Sequence, residues 1–129
     1  MYNKFEHIML YEKALGKEDF NHLHNKTIFI TGATGFLGMW LIRSIDYLNK
    51  TLYLNIKIII LLRSKNKKKF IKNFKNVNID YINGNVTNFN FKKKNIDHII
   101  HLAAETSEKK NKDKIEVMNT IINGTIRVL

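Results

Sequence analysis

The sequence has no cysteine and no proline, six glycines, and three arginines among its 22 basic residues. Without cysteine there can be no disulfide, zinc ribbon, iron–sulfur ligation or thiol nucleophile, and a reducing cytoplasm is the expected location. Without proline, and with so little glycine, collagenous chains are excluded as well. Long hydrophobic runs are missing too: the longest unbroken one is Ile58 to Leu62, and the start, Met1 to Glu6, has no continuous apolar core. Neither a signal peptide nor a membrane span is predicted, so a membrane is not among the expected partners.

What is present fits one globular core. The 129 residues are 44% hydrophobic and 26% charged, which is the ordinary range for a packed α/β or α+β domain. The formal charge of +11 carries little information, because 17 Asn, 19 Lys and 19 Ile mark a general compositional bias. A nucleic-acid surface concentrates arginine and interleaves aromatic rings, whereas only Arg43, Arg63 and Arg127 are available here. Nucleic acid is therefore not an expected partner. A basic binding module without catalysis is kept as a competing reading, in which Lys65 to Lys75 would lead a steeply salt-dependent affinity.

Periodicity orders the chain. Phe5, Ile8, Met9, Tyr11 and Leu15 recur at helical intervals, so residues 1–25 read as an amphipathic N-terminal extension over 2–24. Thr27 to Thr31 is a β-branched strand that stops at Gly32, and Phe36, Leu37, Trp40, Leu41, Ile45 and Leu48 then follow helical spacing. Ile56 to Leu62 is nearly all apolar, as a strand buried on both faces would be. A short helix is expected over Ser64 to Lys75, a third strand over Val77 to Ile82, a fourth over Ile96 to Ala104, and a helix from Glu116 to Leu129. Strands alternating with helices predict an α/β fold, a partial doubly wound parallel sheet of about four strands with flanking helices.

The segment that carries chemistry is Thr31-Gly32-Ala33-Thr34-Gly35-Phe36-Leu37-Gly38, in which three glycines sit three apart between the first strand and the first helix. One glycine serves a tight turn, one lets backbone approach a pyrophosphate, and one lets the helix pack closely on the strand. The helix start adds unpaired N–H groups and the positive end of its dipole.

This segment resembles the glycine turn of the extended short-chain dehydrogenase/reductase family, the NAD-dependent epimerase/dehydratases. Gly84-Asn85-Val86-Thr87 is similar to the family's Gly-Asp-Val/Leu element, with Asn85 in place of the usual acid that faces adenine. Asp97-His98-Ile99-Ile100-His101-Leu102-Ala103-Ala104 resembles the fourth strand, whose small residues line the cofactor. Asn123-Gly124-Thr125 resembles part of an Asn-x-x-Gly-Thr helix segment, although position 121 is Ile121 and Asn119 is displaced by two. The resemblance covers about residues 26 to 129. It implies an incomplete NAD(P)-binding Rossmann domain over that range, which stops before the catalytic half. The cofactor contacts it implies are Gly32, Thr34, Gly35, Phe36, Leu37, Gly38, Arg63, Asn85, Val86, Leu102, Ala103 and Ala104. It also implies a nucleotide-sugar epimerase, dehydratase or decarboxylase of a surface-polysaccharide pathway, with the nucleotide sugar as substrate of a full-length form only. Acyl-thioester reductases share the Thr-Gly-Ala-Thr-Gly-Phe-Leu-Gly motif and form the alternative, but they carry longer insertions between the second and third strands.

Cofactor choice, NAD or NADP, turns on Leu62-Arg63-Ser64 at the end of the second strand. An acid there would bind both ribose hydroxyls of NAD; a guanidinium tilts the reading to NADP, unless Arg63 merely points to solvent. The family's catalytic pair is Tyr-x-x-x-Lys, and the only match is Tyr53 with Lys57. The lysine already lies in the second strand, so the two are not expected to share a helix face, and no catalytic residue is assigned. His98 and His101 are three apart in a strand and point to opposite faces, which excludes a shared metal. Glu105, Thr106 and Ser107 follow the fourth strand, and either touch nicotinamide ribose or substrate or form an ordinary polar loop.

A sheet ending at its fourth strand leaves Ile96, Ile99, Ile100 and Leu102 at an open edge, so homo-oligomeric self-association is expected. Repulsion among the excess positive charges opposes it only at low ionic strength. Size-exclusion chromatography across a salt series checks this: association should rise with salt, and a sharp monomer peak at high salt with cooperative unfolding would contradict it.

Overall fold

β-Branched and aromatic residues in two short runs place the centre of a parallel sheet, forming β1 (Thr27–Thr31) and β2 (Lys57–Leu62). The computed structural model describes residues 13, 16–63, 70–91, 95–104 and 114–129. β3 (Asn78–Asn83) lies outside β2, and β4 (His98–His101) outside β1, giving the order β3-β2-β1-β4 with every pair parallel. Crossover connections of this kind carry helices onto both faces.

The period-two alternation sorts side chains into two layers. Ile28 and Ile30 of β1 and Ile58, Ile60 and Leu62 of β2 face α1 (Phe36–Leu52), which contributes Ile42, Ile45 and Leu48. Phe29, Ile59 and Leu61 face the other side, where Val86, Phe89 and Val128 complete the layer. The ring of Phe29 packs against Phe89 and Phe91, with centroids 5.7 and 5.2 Å away. α2 (Lys114–Val128) buries only Gly124 and Val128, and its Arg127 Nε donates to the Phe89 carbonyl at 2.8 Å. Gly124 is required at that contact, because a Cβ there would lie 2.9 Å from Val86 Cγ1.

Polar side chains fix how the elements meet. Asn49, buried near the end of α1, accepts from Ile56 N–H at 2.9 Å and donates to the carbonyls of Ile56 and Asn76 at 2.9 and 3.1 Å. One amide thus joins α1 to the entries of β2 and β3. At the start of β4, Asp97 accepts from Thr27 N–H at 2.8 Å and from Lys26 Nζ at 3.0 Å. Its carboxyl is held below the usual range, first by the Thr27 backbone N–H and then by Lys26.

Sequence expectation and structure differ at several places. The fourth strand, expected over Ile96 to Ala104, is confined to His98–His101. Backbone bonds to β1 flank it, from Asp97 N–H to the Thr27 carbonyl at 2.9 Å and from Leu102 N–H to the Thr31 carbonyl at 3.3 Å, and the Asp97 carboxylate and the Thr31 hydroxyl add side-chain bonds at these two ends. Of the apolar residues expected at an open edge, Ile99 is 43% exposed. Ile100 and Leu102 instead pack on the α1 layer and Ile96 on the other, so these three are half-buried. In the N-terminal extension, Glu18–Leu23 is a 3-10 helix with Phe20 and Leu23 packed on the core, while Phe5, Ile8, Met9, Tyr11 and Leu15 lie outside the described residues. Of the helix expected over Ser64 to Lys75, Phe70 and Ile71 are helical and residues 64–69 lie outside the described residues.

Asn49→Ala should lower unfolding free energy by about 2–4 kcal/mol in urea titrations, because it strands a buried N–H and two carbonyls. Asp46→Ala, which removes the exposed contacts to Asn76, should cost less than about 1 kcal/mol. Equal losses would contradict this assignment.

Candidate functional site

The first turn is shaped by contacts that exclude a Cβ. Gly32 has φ +68°, and a Cβ on it would lie 2.5 Å from the Leu102 carbonyl oxygen. On Gly38 a Cβ would lie 2.4 Å from the Gly32 carbonyl oxygen. The first glycine therefore lets β1 turn against the exit of β4, and the third lets α1 sit directly on the turn. Gly35 differs: among the described residues its added Cβ would meet the Gly32 oxygen, at 3.2 Å, and nothing else within 4 Å. Gly35 caps α1 with extended backbone and no side-chain hydrogen bond, and the first turn of α1 contains no acid. Among the described residues no acid is placed against the positive end of this helix.

The flanking residues are apolar and open. Phe36 is 78% and Leu37 64% exposed at the start of α1, and Thr34 is exposed at the tip of the turn. Across the turn lie Leu102 and Ala103, half-buried, and Ala104, exposed. Arg63 follows β2 and is exposed, and Gly84 N–H donates to the Leu62 carbonyl at 3.1 Å, which sets Asn85 beside the end of β2. Asn85 is exposed, its N–H bound to Asn88 Oδ1 at 3.1 Å. Val86 instead points into the core beneath Gly124. The structure thus gathers Gly32, Gly35, Gly38, Leu102 and Ala103 in direct contact. It arrays Arg63 and Asn85 along the same carboxyl edge of the sheet. This cradle fits a pyrophosphate over Gly35 and the N–H groups of the first helical turn.

The contact between Thr31 and His101 has no signal in the sequence. Thr31 is fully buried, and its Oγ1 accepts from Leu102 N–H and Ala103 N–H, each at 3.2 Å. With both acceptor positions used, its proton is donated to His101 Nδ1 at 2.6 Å. This hydrogen-bond arrangement assigns to His101 the neutral tautomer with its proton on Nε2, and burial, which pushes its pKa down, favours the neutral form. The sequence placed His101 in a strand with no role beyond it; only its pairing opposite Thr31 shows the contact.

The remaining candidates separate. Tyr53 caps α1 in the left-handed region and Lys57 opens β2, so they share no helix face and stand at the amino end of the sheet, away from the turn. A shallow pocket lined by Thr27, Lys57, Asn78, Asp80 and Asn95 lies at that same distant end. Glu105, Thr106 and Ser107 lie outside the described residues. No helix among the described residues is long and apolar enough to cross a membrane.

Residues 28–129 match the family model described as the NAD dependent epimerase/dehydratase family. No match was found among curated proteins or among solved structures. The chain belongs to the NAD-dependent epimerase/dehydratase family, and with that membership comes a nicotinamide dinucleotide as cofactor.

The glycine contacts give a direct test. Gly16 and Gly32 share positive φ, but a Cβ on Gly16 would come no nearer than 3.8 Å to Asp19. Gly16→Ala should cost about 1 kcal/mol and Gly32→Ala at least about 2 kcal/mol more in chemical denaturation, because only the second forces backbone apart. Equal costs would show that Gly32 is required for its dihedral alone.

Proposed function

We propose that these residues form the dinucleotide-binding part of an epimerase/dehydratase-type oxidoreductase, with NADP favoured over NAD and a nucleotide sugar as the substrate class. The observation that carries the binding reading is the helix start at Gly35, with no acid in its first turn, set on a turn whose Gly32 packs on the exit of β4 and whose Gly38 packs on Gly32, neither position admitting a Cβ. The dinucleotide, when bound, supplies a hydride acceptor and donor. The protein binds it: first-turn N–H groups face the pyrophosphate, Leu102 to Ala104 line the side toward β4, and Phe36 and Leu37 shield the phosphates from water. Asn85 offers both a donor and an acceptor where relatives of the family carry an acid toward adenine. Arg63, at the end of β2, is the group we assign to the 2′-phosphate, because a guanidinium matches a phosphate in charge and fork geometry.

Neither member of the one Tyr-x-x-x-Lys pair stands at this edge, so proton transfer to substrate is not assigned to any residue here. The sugar-nucleotide substrate, the polysaccharide pathway and a cytoplasmic location rest on the family resemblance and the composition.

Gly35→Asp separates binding from folding. Aspartate is a favourable helix cap, so stability should stay within a few tenths of a kcal/mol, about the difference between these caps. The carboxylate would face the pyrophosphate, and calorimetric affinity for NADP should drop more than about tenfold. A folded wild-type chain with no NAD or NADP affinity at millimolar concentration would overturn the proposal. Steeply salt-dependent binding of DNA or RNA in its place would establish the basic-module reading.

A further inference from the structure

We propose that His101 is a positioning residue of the dinucleotide site, acting through Thr31: its neutral Nδ1 holds the Thr31 hydroxyl, which holds the Leu102–Ala103 peptide against Gly32. This rests on the cofactor reading above and adds to it a residue that need not touch the cofactor. The chain of contacts is continuous. His101 Nδ1 accepts the Thr31 hydroxyl at 2.6 Å, and Thr31 Oγ1 accepts both N–H groups of the peptides leaving β4 at 3.2 Å. The Leu102 carbonyl, in the same segment, occupies the space that a Cβ on Gly32 would need. Leu102 N–H also reaches the Thr31 carbonyl at 3.3 Å, so the backbone ladder holds Leu102 while the hydroxyl oriented by His101 is the contact that holds Ala103 N–H beside the turn.

Protonating Nδ1 removes that lone pair. An imidazolium is a donor at both nitrogens, so Thr31 Oγ1 would face a third donor with only two acceptor positions. One of the three contacts at Thr31 Oγ1 must then break; Leu102 N–H retains the Thr31 carbonyl at 3.3 Å, whereas Ala103 N–H has the hydroxyl as its acceptor. β1 and α2 pack against β4, and Ile100 and Leu102 also reach the α1 layer. β1 has no titratable side chain; α1 has Arg43, Asp46 and Lys50, α2 has Lys114, Glu116 and Arg127, the last bound to the Phe89 carbonyl, and β4 itself has His98. Burial is the cause of the lowered His101 pKa. Because the folded pKa lies below the unfolded value of 6.5, the associated stability is present above 6.5 and is lost as pH falls through the folded pKa.

The experiment uses NAD as probe, since the 2′-phosphate of NADP would itself titrate near pH ~6. Affinity is measured by calorimetry between about pH 8 and about pH 5, alongside NMR of the His101 ring and the Leu102 and Ala103 amides. In the wild type, affinity should fall about five- to tenfold on acidification, the weight of one or two hydrogen bonds, and both amides should shift with the His101 midpoint. His101→Asn keeps an acceptor that does not titrate, so its profile should be flat; Thr31→Val should be weaker and flat. Parallel pH profiles in wild type and His101→Asn, or amides that ignore the His101 midpoint, would overturn the assignment while leaving the cofactor reading intact. Should His101→Asn fail to fold, the wild-type amide titration decides alone. Absence of binding even at the alkaline end would overturn the cofactor reading, and this assignment with it.

Discussion

The rest of the structure depends on the contact of Gly32 with the backbone of Leu102 and Ala103. Two chain segments about seventy residues apart meet there with no side chain between them, and the space holds a carbonyl oxygen where any other residue would have a Cβ. β1 and β4 must be in register for this to happen. Asp97 sets the register at one end by taking the Thr27 N–H, and Thr31 sets it at the other by taking those of Leu102 and Ala103. Between these pins the ladder has only four paired residues, so its ends dominate its geometry.

Two unequal layers support that ladder. The α1 side is the larger, with Ile42, Ile45 and Leu48 set into a field of isoleucines, and Asn49 joining the helix end to two strand entries. This more fully packed half carries the helix whose start faces the proposed ligand. The α2 side is thinner and rests on Phe29, Phe89, Phe91 and Gly124, leaving Ile115, Met118, Ile122 and Ile126 exposed. Burial concentrates between the sheet and the inner face of α1, and apolar surface remains on α2, at Ile99 and at Phe36 and Leu37 beside the glycine turn.

Much of this could be read in the sequence because periodicity and glycine spacing are local signals. β1, the turn, α1 and β2 each announce themselves within a dozen residues, and their order predicts the parallel sheet. β4 was read too long because alanines past His101 continue an apolar run, while the hydrogen bonds that end the strand come from Thr31, out of reach of any local pattern. For the same reason His101 looked like an ordinary strand residue: its partner is 70 positions away. Asn49 was hidden differently, as one of 17 asparagines with nothing local to mark it as the buried one. Arg63 and Asn85 share the carboxyl edge because strand ends in a parallel sheet converge there; Val86, next to Asn85 in sequence, faces the core because the turn after β3 folds back over Phe89.

The central claim is that the carboxyl edge of β1 and β4, opened by the glycine turn, holds a nicotinamide dinucleotide. Amide chemical-shift mapping of the whole chain during titration with NADP tests it most directly. The account predicts the largest shifts over residues 32–38 and 102–104, with smaller ones at Arg63 and Asn85 and none at Lys57, Asn78 or Asp80 on the opposite end of the sheet. Shifts centred on that opposite end, or none while the chain remains folded, would contradict it.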